Sequence, residues 1–110
     1  MQLTVNTQEN YSEIVIAGRV DATTAGELDE TGAQAAAEAK NALLLNFSAV
    51  EYISSAGLRS VLKLAKLCQQ KKLKLRCFGM QSAVFEVFKI SGFSSILTIT
   101  DHKEAALEHI

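Results

Sequence analysis

Hydrophobic positions along the chain change period several times, and each change marks an element. Leu3 and Val5 alternate with Thr4 and Asn6, a period of two that predicts a half-buried strand. Gln8-Glu9-Asn10 reads as a turn, and Ser12 to Ala17 as a second strand ended by Gly18, near enough to the first to form a hairpin. After Asp21 the period becomes helical. Over about residues 23–39 an inward stripe of Ala25, Leu28, Gly32, Ala35, Ala36 and Ala39 is expected, with Asp21 and the threonines after it as candidate caps. The stripe is small, and Gly26 and Gly32 each cost about 1 kcal/mol relative to alanine inside a helix. This helix is therefore expected to pack close to its neighbour and to be the loosest.

Ala42 to Phe47 is a continuous apolar run of strand length, as expected of a central strand covered on both faces. A loop through Val50, Tyr52 and Ile53 is expected to lead to Ser54-Ser55-Ala56-Gly57. The following helix, about residues 55–71, places Leu58, Val61, Leu62, Ala65 and Cys68 inward and Arg59, Lys63, Lys66 and Gln70 outward. A strand over 73–78 follows, then a helix near 82–90 burying Val84, Phe85 and Phe88. A last strand over 96–99 and a closing helix capped by Asp101 complete the pattern. Strict alternation of strand and helix after the hairpin predicts the α/β class, with a mixed, mostly parallel sheet. Lys72, Lys74 and Arg76 alternate with Leu73, Leu75 and Cys77, which suits a strand whose charges protect a sheet edge.

Composition narrows the function classes. The 110 residues contain no proline, and there is neither a repeat nor a low-complexity stretch, so one domain over 1–110 is expected. Eleven basic and twelve acidic residues leave a net charge of −1, without the basic footprint of direct nucleic-acid binding. No apolar run approaches the roughly 20 residues that span a bilayer, and no basic region precedes an apolar one at the start. Cys68 and Cys77 are in no ligand-spaced arrangement, which argues for a reducing, cytoplasmic setting.

Catalytic chemistry finds no constellation. His102 and His109 are both placed in the closing helix, no G-x-S-x-G elbow surrounds a serine, and no Gly-rich phosphate loop is present. Neither an enzyme nor a metal or cofactor site is expected. The strongest site is Ile53-Ser54-Ser55-Ala56-Gly57-Leu58, where a strand hands over to a helix N-terminus. Loops at strand C-termini are where open α/β sheets usually bind ligands and partners. One hydroxyl is explained as an N-cap, worth about 1 kcal/mol, but the pair is explained less well. Gly57 would let another surface approach the first turn. A phosphoryl group there would add about −1.5 to −2 charges at the positive end of the helix dipole, leaving the domain folded while spoiling any surface docked on it.

Gly18-Arg19-Val20-Asp21, Leu43-Leu44-Leu45-Asn46, Val50-Glu51-Tyr52-Ile53-Ser54-Ser55-Ala56-Gly57-Leu58 and Phe85-Glu86-Val87-Phe88-Lys89-Ile90-Ser91-Gly92-Phe93 together resemble the STAS domain, and within it bacterial anti-sigma-factor antagonists. The resemblance spans essentially the whole chain. It implies a non-enzymatic regulator that binds an anti-sigma factor, often itself a serine kinase, and releases it when phosphorylated, with a serine phosphatase restoring the first state. The family's phosphoacceptor falls on Ser55, with Ser54 as the alternative, because Ser54 and Ala56 stand where the family often has an acidic residue and a second hydroxyl. Asp21, which matches the family's acidic residue and is equally explained as a cap, joins Thr24, Ser54, Ser55, Ala56, Gly57 and Arg59 as the expected partner-binding residues, Arg59 from its place on the exposed side of the helix. Asn46 is expected to satisfy loop backbone and Lys63 to be solvated. A second reading is a cytoplasmic STAS subunit that steadies a membrane transport complex without being phosphorylated.

Overall fold

A computed structural model describes residues 1–110 and holds one five-stranded sheet, in the order β1-β2-β3-β4-β5. The opening hairpin pairs β1 (Gln2–Thr7) antiparallel with β2 (Tyr11–Val20), and every later pairing is parallel. The α/β reading with an N-terminal hairpin is therefore correct. Helices α1 (Ala25–Glu38), α2 (Ser55–Gln70) and α3 (Ser82–Ile90) alternate with β3 (Ala42–Ile53), β4 (Lys74–Phe78) and β5 (Thr98–Thr100). A short turn of 3-10 helix, Phe93–Ser95, precedes β5, and a single turn α4 (Lys103–Ala106) ends the chain. No helix is long and apolar enough to cross a membrane.

The alternation of side chains across β3 builds two layers. Leu43, Leu45 and Phe47 point into the main core with Ile14, Ile16, Val20 and the inner faces of α1, α2 and α3. There Phe47 and Phe88 meet edge to face, with ring centroids 5.8 Å apart. Ala42 and Leu44 point the other way and pack with Phe78, Ala106 and the flanking Tyr11, Leu107 and Ile110. Thus the first half of β3, Ala42 to Phe47, is covered on both faces, as its unbroken apolar run requires. In α1 the small stripe does admit a close neighbour, since a Cβ on Gly32 would lie 3.1 Å from the Leu64 side chain of α2.

Several boundaries and one role differ from the sequence reading. The segment expected as a loop, through Val50, Tyr52 and Ile53, is the second half of β3. Two register shifts allow this: Val15 pairs with Asn46 but Ala17 with Ala49, and Gly18 pairs with Val50 but Arg19 with Tyr52. β3 carries the extra residues, and such bulges break the period of two that betrays a strand. β2 likewise continues through Gly18, whose φ of 99° suits glycine at the irregularity. α1 starts at Ala25 rather than 23 and has no side-chain cap, and Ala39 is only half-buried beyond its end. In α2 the buried stripe runs through Ser60 and Leu64, with Leu62 and Ala65 half-buried. Phe85 is 37% exposed rather than core, lying at the margin of α3 over a shallow groove with Met80 and Ile99. The last strand begins at Thr98, so Ile96 and Leu97 precede it. His102, not Asp101, takes the cap position of α4, and His109 lies outside that helix.

The largest correction concerns β4, which is not an edge strand. β3 pairs on one side of it and β5 on the other. Two of its basic residues instead meet the end of the chain: the exposed Lys74 donates to the His109 carbonyl, and the half-buried Arg76 Nη1 to the Ala106 and Glu108 carbonyls at 3.1 and 2.7 Å. Carbonyls at the end of α4 and in the turn beyond it lack helical partners, so cations meet them readily.

Candidate functional site

Parallel pairing of β2 and β3 brings two strand ends to one edge of the sheet, with Val20 opposite Ile53. Asp21 and Ser54 follow immediately. Their junction is tied by the Val20 carbonyl, which accepts from the Ser54 N–H at 2.9 Å. The Ser54 side chain then caps α2, its Oγ accepting from the Gly57 N–H at 3.3 Å, while the Ser54 carbonyl accepts from the Leu58 N–H at 2.9 Å. These bonds leave the Ser55 and Ala56 N–H groups as the open donors of the first turn. Ser54 is half-buried and Ser55 exposed. The two hydroxyls are thus structurally unequal: one is committed to the cap and the other faces outward.

Gly57 is buried, and a Cβ there would come within 2.7 Å of the Val20 carbonyl oxygen and 2.8 Å of Ile53 Cγ1. The surface approaching the first turn is therefore the chain's own β2. Ala56 is half-buried, and Arg59, one turn on, is exposed. Ala56 and Arg59 share a shallow groove with Ala25, Asp29, Ser60 and Lys63, the last solvent-exposed as expected, with its amine 3.6 Å from Asp29.

Across the junction Asp21 organises its own turn. Its Oδ1 accepts from the Thr23 N–H at 3.0 Å and the Thr23 hydroxyl at 2.7 Å. The Thr24 hydroxyl accepts from the Asp21 N–H at 2.9 Å and lies 3.1 Å from the Arg19 carbonyl, to which it donates. Neither side chain caps α1 directly; together they hold the loop that leads into it. Bonds from the Thr23 hydroxyl and N–H, aided by the nearby Arg19 guanidinium, hold the Asp21 carboxyl below the usual carboxylate range. At neutral pH it is a fixed negative charge on an exposed edge.

Two further residues complete this edge that the sequence reading did not single out. The Arg19 guanidinium lies 4.2 Å from the centroid of the Tyr52 ring and pairs with Asp21 at 3.8 Å. Tyr52 is 42% exposed, an aromatic at the surface of the half of β3 where Ser48, Ala49 and Glu51 are exposed as well. Local sequence carries no signal for this pair: only the register that sets Arg19 opposite Tyr52 joins them. Asn46, by contrast, is committed within the fold, accepting from the Ser48 N–H and hydroxyl at 3.0 and 2.6 Å. Nowhere do three or more histidine, cysteine or acidic side chains come together as a metal site would require. What the edge presents is a hydroxyl, a carboxylate, an aromatic ring and two guanidinium groups, which suits recognition of a protein surface.

Comparison with known proteins places the chain in a family and a fold. The STAS domain model matches residues 2–106. BtrV of Bordetella bronchiseptica, a candidate anti-sigma factor antagonist, is 34% identical over 106 residues, covering 96% of this chain and 91% of that protein. An anti-sigma factor antagonist from Mycobacterium paratuberculosis has the same fold, with a TM-score of 0.87, 20% identity and coverage of 96% and 90%. So does the Bacillus cell fate determinant SpoIIAA in its phosphorylated form, with a TM-score of 0.73, 16% identity and 97% of both chains covered. This chain belongs to the STAS-domain family of anti-sigma-factor antagonists.

Proposed function

We propose that the chain is a partner-switching antagonist whose switch is Ser55. In its unmodified state the edge formed by Asp21, Thr24, Ser54, Ser55, Ala56 and Arg59, with Gly57 shaping the turn beneath, binds an anti-sigma factor that is also a serine kinase. Sequestering that protein frees a sigma factor for transcription. The kinase transfers the γ-phosphoryl of ATP to Ser55 Oγ, releasing ADP and the hydroxyl proton, and the complex separates. A serine phosphatase then hydrolyses the ester, returning the hydroxyl and inorganic phosphate. The observation that carries the choice of serine is the unequal geometry of the pair, since Ser54 caps α2 and Ser55 is exposed. That SpoIIAA has been described in a phosphorylated form on this fold supports the same reading.

The experiment is a pull-down from native cytosol with wild-type, Ser55→Asp and Ser55→Ala baits, followed by mass spectrometry. Wild type and Ser55→Ala are expected to recover an ATP-binding, kinase-like anti-sigma protein that Ser55→Asp does not. Equal recovery of a membrane transport complex by all three baits would sink the antagonist reading in favour of a scaffold subunit.

A further inference from the structure

Arg59 is a cation in an unfavourable place. It stands in the second turn of α2, near the positive end of the helix dipole, and no acidic residue in the first turn offsets it. The three ion pairs of the fold join Arg19 to Asp21, Lys63 to Asp29 and Lys103 to Glu13, and Arg59 belongs to none of them. Arg19 and Lys63 thus each lie within 4 Å of a carboxylate, whereas Arg59 is exposed and paired with none. Four residues before it on the same continuous helix stands Ser55, also exposed. Residues spaced i and i+4 sit one above the other, with Cβ atoms roughly 5–6 Å apart, and an anion at i with a cation at i+4 is the favourable order.

We infer that Arg59 is the chain's own receptor for a phosphoryl group on Ser55, closing along one face of α2 an ion pair that the unmodified chain lacks. The inference rests on the reading of Ser55 as phosphoacceptor. Asp29 lines the same groove but forms no ion pair with Arg59, whereas a phosphoserine dianion one turn before it brings acceptor oxygens, two of which a guanidinium fork can hold at once. Closing this pair has a second effect. Arg59 is drawn back onto its own helix and withdrawn from any carboxylate on the bound partner. The switch thus removes one attractive contact as it adds a repulsive charge.

The test uses the full chain with phosphoserine installed at position 55 during synthesis, titrated by phosphorus NMR. A facing guanidinium favours the dianion, so the second pKa of the phosphoserine should lie lower in wild type than in Arg59→Gln, by about 0.5 pH unit at low salt. Arg59→Lys should fall between the two, and Lys63→Gln, about two turns beyond Ser55 on the same helix and beside Asp29, should titrate like wild type. The gap should shrink at 1 M salt. Coincident curves for wild type and Arg59→Gln, or an equal displacement by Lys63→Gln, would overturn the inference. Melting of the unphosphorylated variants checks that each is folded. Since the phosphoserine is installed without the kinase, coincident curves reject the Arg59 pair alone, whereas the pull-down rejects the Ser55 switch itself.

Discussion

Ser54 and Ser55 are adjacent copies of one residue with different tasks, and the difference comes from where each oxygen points. Replacing Ser54 by alanine removes the cap on the Gly57 N–H and should cost about 1 kcal/mol in a denaturant melt. The same change at Ser55 should leave stability within about 0.5 kcal/mol, as for an exposed residue without a structural partner. Equal losses at both sites would show that Ser55 also serves the fold. Gly57→Ala is the severe change at this junction, because its Cβ would meet the Val20 carbonyl at 2.7 Å. Forcing that carbonyl away disturbs the bond from Ser54 that sets the two strand ends together, and a loss of about 1–3 kcal/mol is expected in a melt. The Asp21 carboxylate contributes in one direction of pH only. Its folded pKa is depressed, so the contribution is present above the ordinary 3.8 and is lost as the pH falls through the lower folded value.

Among the elements, α2 and the terminal segment illustrate how much depends on which face is covered. Leu58 is 7% exposed and sits in the main core, so Leu58→Ala should cost about 2–5 kcal/mol by chemical denaturation. The terminal segment is held differently, by Arg76 and Lys74 on carbonyls and by Lys103 on the buried Glu13 carboxylate at 2.6 Å. Asn46 Nδ2 donates to the same carboxylate at 3.3 Å. Lys103→Met would leave Glu13 with a weaker partner, and a loss of about 1–2 kcal/mol is expected, scaled down because the lysine head is partly solvated. The hydrogen bond to Glu13 raises the Lys103 pKa above 10.5. This contribution is accordingly complete below pH 10.5 and disappears only as the pH rises through the folded value. Loss of the difference between wild type and Lys103→Met at alkaline pH, and its persistence at neutral pH, would check the assignment.

For the molecule as a whole, the two thiols report on integrity. Burial pushes Cys77 up to about 12 and Cys68 up to about 11, so neither is a thiolate at neutral pH. A thiol reagent should therefore label the native protein slowly and the unfolded protein at once, with Cys77 following global unfolding. Fast native labelling of Cys77 would contradict the closed core.

The hairpin, the alternation of strand and helix, the doubly covered first half of β3 and the serine pair at the start of α2 were all legible in the chain itself. Each follows from local spacing, since the period of apolar residues states which face of an element is dry. The fold class, and the place of the serine pair where a strand hands over to a helix, come from that information alone. The position of β4, the role of its basic face and the outward turn of Phe85 were not legible. They depend on which strand lies beyond β4 and on where the terminal segment folds back. An alternating basic strand has the same pattern whether water or a row of helix-end carbonyls covers it. The second half of β3 was hidden for a related reason, because its extra residues are in register only with β2. The same register, Val20 beside Ile53 and Arg19 beside Tyr52, assembles the site's edge from segments more than thirty residues apart. Local sequence determines which residues can face a partner; tertiary pairing determines which of them stand together, because only the folded sheet brings distant strand ends side by side.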